Sequence, residues 1–381
     1  MRTFFSLLFC LLFFQWHAQD SLYTRKVIRT LTSEKCYGRG YLFNGLQNAE
    51  KFIVKEIRSM GTNPLFGKSY TQSFVHPVNT FPGACKVMIN NITLKPGVDF
   101  IVDCHDPGGK ASCALVPNEK GEYVNTGKEQ QKVQVLFRKK LTWSVGGSQS
   151  DVIRIELDSS RFSEVPTSIT YEIKNKFIPE FESKNIGCVI NGRNNDSMVV
   201  FSAHYDHLGG MGSATYFPGA NDNASGVSVV LNLIRYYREH PPKYKMVFLF
   251  FAGEEAGLLG SKFLVNSKVL SLPKIKFLIN LDLLGTGDEG IMVVNGSLYQ
   301  EAFGTLNKIN QELHLVPEIK KRGKAANSDH YWFTEAGVPC FFIYTMGGIK
   351  AYHDVFDKEE TLPLTRYREV FLLLTRFSDQ L

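Results

Sequence analysis

The chain is predicted to be an α/β protein with a largely parallel main sheet covered by helices on both faces, preceded by a β-rich segment. Three observations lead there. After residue 185, apolar strand-length runs alternate with helical ones, the pattern of a parallel sheet buried on both sides. Between about residues 70 and 181, short alternating stretches are separated by Pro, Gly, Asn and Asp clusters, which reads as β-rich. Finally, several apolar runs of the second half end in His, Asp or Glu, and ligand sites of such sheets form beyond the carboxyl ends of the strands.

The elements follow in order. Arg2, the apolar stretch Phe4 to Phe14 and the small Ala18 read as an export signal over residues 1–18; Trp16 departs from the usual small residue near the cut. The stretch is short for a membrane span. Residues 19–69 lead into the catalytic part, and residues 44–60 form an amphipathic helix with Ala49, Phe52, Ile53, Ile57 and Met60 near helical spacing, stopped by Gly61. In residues 70–181, KVMINNI, VDFIVD, KVQVLF, DVIRIEL and SITYEI read as strands. Residues 182–381 carry the α/β part. Its strands are MVVFSAHY, KMVFLFFAG, KFLINLD, IMVVNG and PCFFIYT. Helices cover NASGVSVVLNLIRYYREH, GLLGSKFLVNS, SLYQEAFGTLNKINQELH, DHYWFTEAG and the C-terminal stretch.

With 381 residues, 44% hydrophobic and 21% charged, the composition is that of a globular chain with a sizeable core. The net charge of +6 is mild. Its basic clusters, Arg138-Lys139-Lys140 and Lys320-Lys321-Arg322, are not interleaved with aromatics, which argues against nucleic acid as a partner. Six cysteines follow the export segment. An exported chain permits disulfides, and Cys104 and Cys113, flanking DPGGKAS, are the easiest pair to join. No cysteine spacing suggests a metal knuckle.

The chemistry lies in five side chains at the ends of apolar runs. They are His204 in VVFSAHYDHLGG, Asp222 in GANDNASG, Glu255 in FLFFAGEEAGLLGS, Asp282 in FLINLDLLG and His353 in AYHDVFD. A buried unpaired charge is costly, so such groups are solvated or bound to something positive. Two imidazoles and three carboxylates are the ligand complement of a two-zinc hydrolase. Taken singly, each has a plainer reading. Asp222 is placed like a helix N-cap, and His204 with Asp206 could be a structural pair. Asp206, two residues on, is also placed to fix the tautomer of a metal-binding His204. Glu254-Glu255 is the most informative pair, because adjacent carboxylates at a buried strand end repel unless a cation is present. One can bind metal while the other serves as general base to the attacking water.

At these residues the chain resembles the M28 family of zinc peptidases, the co-catalytic dizinc aminopeptidases. SAHYDHLG, GANDNASG, FAGEEAGLLGS, NLDLLG, SDHYWFTEAGVPC and YHDVFD occur in family order over roughly residues 185–360. The resemblance implies a three-layer α/β/α sandwich with a mixed sheet of about eight strands. It implies two Zn2+, one held by His204 and Asp282, the other by Glu255 and His353, with Asp222 bridging. Glu254 would be general base and acid, Asp206 would orient His204, and Tyr352 resembles a residue that helps stabilise the oxyanion. Asp329 and His330 would support the site. The substrates would be peptides with a free N-terminus. Residues 70–181 could be a version of the protease-associated insert, although no signature of one is evident. The aromatic and aliphatic side chains of Gly209 to Pro218 and Phe341 to Met346 are expected to wall a specificity pocket. A single-zinc glutaminyl cyclase on the same fold, a carboxypeptidase or dipeptidase, and a non-catalytic binding module are the alternatives. The intact His204-Tyr205-Asp206 argues against the cyclase, and the full ligand set with its base argues against the non-catalytic module.

Overall fold

A computed structural model describes residues 21–127 and 131–381; the proposed export segment lies outside them. Two large sheets dominate. The nine-stranded sheet runs in the order Asn63–Pro64, Lys176–Ile190, Tyr244–Phe251, Asn194–His204, Ile275–Leu281, Cys340–Met346, Gly290–Val294 and Ile319–Lys321, with Thr71–Thr80 also paired to Lys176–Ile190. Its four central strands are parallel, and antiparallel strands flank them, so the sheet is mixed.

Strand periodicity divides the side chains into two helix-covered layers. Val199, Phe201, Ala203, Phe248, Phe250 and Ile279 point into one core with Ile53, Val230 and Leu374 of the helices Gly45–Ser59, Gly226–Glu239 and Tyr367–Asp379. Their neighbours Met198, Val200, Val247, Leu249 and Phe251 point to the other side. There they meet Leu264 and Phe333 of the helices Leu259–Asn266 and His330–Glu335. The result is an α/β/α sandwich. From the strand ending at His204, the chain crosses first to one neighbouring strand and later to the other. Such a reversal of strand order opens a crevice at the carboxyl ends.

The β-rich segment forms an eight-stranded sheet from Cys85–Ile89 to Ser168–Ile173. In Ser168–Ile173, Ile169, Tyr171 and Ile173 face its core. The strands Thr71–Thr80 and Lys176–Ile190 pair with each other in the larger sheet, so the sequence boundaries at 70 and 181 fall outside the second sheet. Their alternation is that of any strand, and only pairing decides which sheet a strand joins. Cys104 and Cys113 are not joined: all six described cysteines are free.

One buried acid of this segment makes stability depend on pH. Asp106 is fully buried; its Oδ1 accepts the Arg154 N–H at 2.9 Å and its Oδ2 has no partner. Burial, opposed by that backbone bond, pushes its carboxyl from 3.8 up to about 8. The folded chain therefore retains a proton that the unfolded chain releases. The resulting stability is full below about pH 4 and is lost as pH rises towards about 8, with a slope of at most about 1.4 kcal/mol per pH unit. Asp106→Asn is expected to flatten this slope in urea unfolding between about pH 5 and 8. An unchanged slope would show that Asp106 contributes nothing to it.

Candidate metal centre

The ends of three adjacent parallel strands bring the sequence-predicted groups together. His204 closes Asn194–His204, Asp282 follows Ile275–Leu281, and Glu254 and Glu255 follow Tyr244–Phe251. Asp222 comes from the turn Ala220–Ser225. It is not the helix cap, which falls at Ser225. His353 arrives from the loop that follows the strand Cys340–Met346.

The carboxylate of Asp222 faces both imidazoles. Its Oδ1 lies 3.3 Å from His204 Nε2 and its Oδ2 lies 3.1 Å from His353 Nε2. Asp282 Oδ2 completes the first side at 3.3 Å from His204 Nε2. Glu255 Oε2 completes the second at 3.1 Å from His353 Nε2. His204 Nε2 and Asp282 Oδ1 are buried without a hydrogen-bond partner. Converging, orphaned polar atoms of this kind suit a cation, and the set divides into two halves that share Asp222.

The electrostatics agree. Burial opposes charge on His353, yet Glu255 and Asp222 push its imidazole up to about 11. Burial and Asp222 oppose the ionisation of Glu255, but His353 and His207 hold its carboxyl down at about 2. Glu254 moves the opposite way. Burial, then the neighbouring Glu255, Asp329 and Asp282, raise it well above the usual range despite His204. Two adjacent carboxyls driven apart in this way suit different roles, one as an ionised ligand and the other as a proton carrier.

Asp206 meets His204 as expected and does more besides. Its carbonyl, not its carboxylate, is the nearer partner of His204 Nδ1, at 3.2 Å against 3.8 Å. The carboxylate accepts the backbone N–H groups of Glu254 and Glu255 at 3.2 and 3.3 Å, and so fixes the strand end that carries both. Tyr352 stacks on the His353 ring, 4.0 Å between centroids. Partial burial, then Asp222 and Glu255, push its phenol up, so it stays a hydrogen-bond donor. Asp329 and His330 are fully buried, and Asp329 is close enough to Glu254 to raise its carboxyl.

Three contributors escape a reading of the sequence. His207 Nδ1 lies 2.7 Å from Glu255 Oε1, leaving Oε2 for the cluster. Asp357 accepts the N–H groups of Asn221 and Asp222 at 2.8 to 3.0 Å. Arg39, fully buried, donates to the carbonyls of Tyr205 and Asp222. His207 and Asp357 stand inside the motifs quoted above, but nothing local marks their partners. Of the segments expected to wall a specificity pocket, Met211 and Phe217 pack into the core of the second sheet, and Phe341 and Ile343 into that of the first. Among the described residues one other group could hold an ion, Asp103, Cys104 and His105, but Arg154 already lies 3.2 Å from Asp103.

The sequence profile of peptidase family M28 matches residues 185–378. Aminopeptidase YwaD of Bacillus subtilis (strain 168) is 34% identical over 152 residues, 37% of this chain and 30% of that protein. A probable zinc metalloprotease of Pyrenophora tritici-repentis is 46% identical over 68 residues, 18% of this chain and 16% of that protein. The matches thus span less than a third of these relatives' lengths. Among solved structures, BSAP, a zinc aminopeptidase from Bacillus subtilis, superposes with a TM-score of 0.71 at 18% identity over 94% of each chain. The peptidase M28 precursor from Shewanella amazonensis SB2B gives 0.71 at 14% identity, over 95% of this chain and 93% of that one. At these identities the superpositions show the fold alone.

Proposed function

Since the chain belongs to peptidase family M28, we propose that it is an exported zinc-dependent aminopeptidase acting on peptides with a free N-terminus. The observation that carries this reading is the carboxylate of Asp222 facing two separate His–carboxylate pairs. His204 and Asp282 would hold one zinc, Glu255 and His353 the other, and Asp222 would bridge them. Zinc, when bound, polarises the scissile carbonyl and lowers the pKa of water to about 7.

The chain's own residues supply the rest. Glu254 takes a proton from the attacking water and returns it to the leaving amine. Asp206 holds Glu254 in place through the backbone. The Tyr352 hydroxyl is the donor available to the developing oxyanion. Arg2 and the apolar stretch that follows support export, and no helix among the described residues is long and apolar enough to cross a membrane.

Mass spectrometry of a peptide beginning Gln-Leu, incubated with zinc-loaded protein, tests the reading. Loss of Gln and then Leu is expected, with an N-acetylated copy left intact and a chelator stopping the reaction. Loss of ammonia alone would replace the aminopeptidase by a cyclase.

A further inference from the structure

The β-rich segment reaches the metal centre through Trp143. The Trp143 backbone N–H donates to the His353 carbonyl at 2.9 Å, and His353 Nδ1 lies 2.9 Å from the Trp143 carbonyl. With the Nδ1 proton held at that carbonyl, Nε2 is the ring nitrogen that faces Asp222 and Glu255 and would take the metal. His353 has a φ of 53°, a left-handed conformation that a non-glycine residue keeps only when its surroundings hold it.

The backbone partner of those surroundings, Trp143, belongs to the β-rich segment. Trp143 is 5% exposed. Its indole N–H donates to the Val102 carbonyl at 2.8 Å, and its ring stacks on Phe217 at 4.7 Å. Three residues earlier, Lys140 Nζ donates to the Lys350 carbonyl at 2.7 Å and lies 3.3 Å from Asp354. At the opposite half, His204 Nδ1 meets the carbonyl of Asp206, two residues along its own strand end.

We propose that the β-rich segment is a positioning element of the metal centre, in which Trp143 orients His353 and sets the zinc affinity of the Glu255–His353 half alone. The proposal rests on the two-zinc reading above. Partners that orient a metal-binding imidazole typically contribute about 10–100-fold in affinity.

The test counts bound zinc by mass spectrometry in the full chain over a range of buffered free zinc. Wild type is expected to fill two equivalents. In Trp143→Phe, which keeps the backbone carbonyl and an aromatic ring on Phe217 but loses the indole N–H that anchors that backbone to Val102, one equivalent is expected to weaken measurably, by less than the about 10–100-fold of a lost partner, while the other stays in place. Lys140→Met, at an exposed position, is expected to shift the same equivalent by less, and it carries the test if Trp143→Phe fails to fold. His353→Gln should remove that equivalent, after which adding Trp143→Phe should change nothing further. Equal weakening of both equivalents, or of neither, overturns the proposal. A wild-type chain that fills only one equivalent overturns the two-zinc reading instead.

Discussion

Glu254→Gln is expected to bind zinc as wild type does and to lose about 10²–10⁴-fold in kcat, the range that a positioned acid–base group supplies. The substitution keeps the shape of the side chain and removes its ability to carry a proton. Glu254 makes none of the four close His–carboxylate contacts, which belong to Asp222, Asp282 and Glu255, although its carboxylate lies within 4.8 Å of His204 and Asp282. It stands beside them, with its carboxyl pushed up by burial and by Glu255, Asp329 and Asp282. Metal content and kcat measured on the same preparation separate the two roles. Lost zinc would make Glu254 a ligand, and near-normal turnover would move the base elsewhere.

The second large effect falls on stability. Arg39 is wholly buried and donates to five carbonyls. Nε reaches Tyr205 at 2.9 Å, Nη1 reaches Leu31 at 3.2 Å and Pro218 at 2.7 Å, and Nη2 reaches Gly219 at 2.8 Å and Asp222 at 2.9 Å. The guanidinium thus ties the N-terminal region to the residue after His204 and to Asp222 itself. Arg39→Met would leave these acceptors without their donors, and each buried unsatisfied group costs about 1–3 kcal/mol. Loss of one partner from such a buried charged network typically costs about 3–5 kcal/mol. Urea unfolding is expected to show a loss of that size, with weaker zinc binding at the bridging carboxylate. Arg39→Lys should recover only part of it, since an ammonium has three donors where the guanidinium has five. A loss below about 1 kcal/mol in Arg39→Met would show that the carbonyls find other partners and that Arg39 does not brace the site.

His204, Glu254, Glu255 and Asp282 are legible in the sequence because each ends an apolar run, whereas Asp222 in a turn and His353 in a loop stand out by the motifs around them. A strand such as Tyr244–Phe251 is buried along most of its length, so the carboxylates that follow it need compensation, and that need is written locally. The supporting residues carry no such mark. His207 meets Glu255 across 48 positions of sequence, and Arg39 meets Asp222 across 183. Asp206 reads as a partner of nearby His204, but nothing local shows that its carboxylate also accepts from the backbone of Glu254 and Glu255.

The sequence by itself determined the α/β class, the strand and helix order of the second half, and the residue types that converge. Apolar periodicity and strand-end chemistry are properties of neighbouring residues. Only the tertiary structure decided that Thr71–Thr80 joins the larger sheet, that Met211 and Phe217 enter the second core, and that Trp143 meets His353 across 210 positions. Pairing, burial partner and hydrogen-bond acceptor are relations between distant segments, and their free energy exists only once those segments pack together.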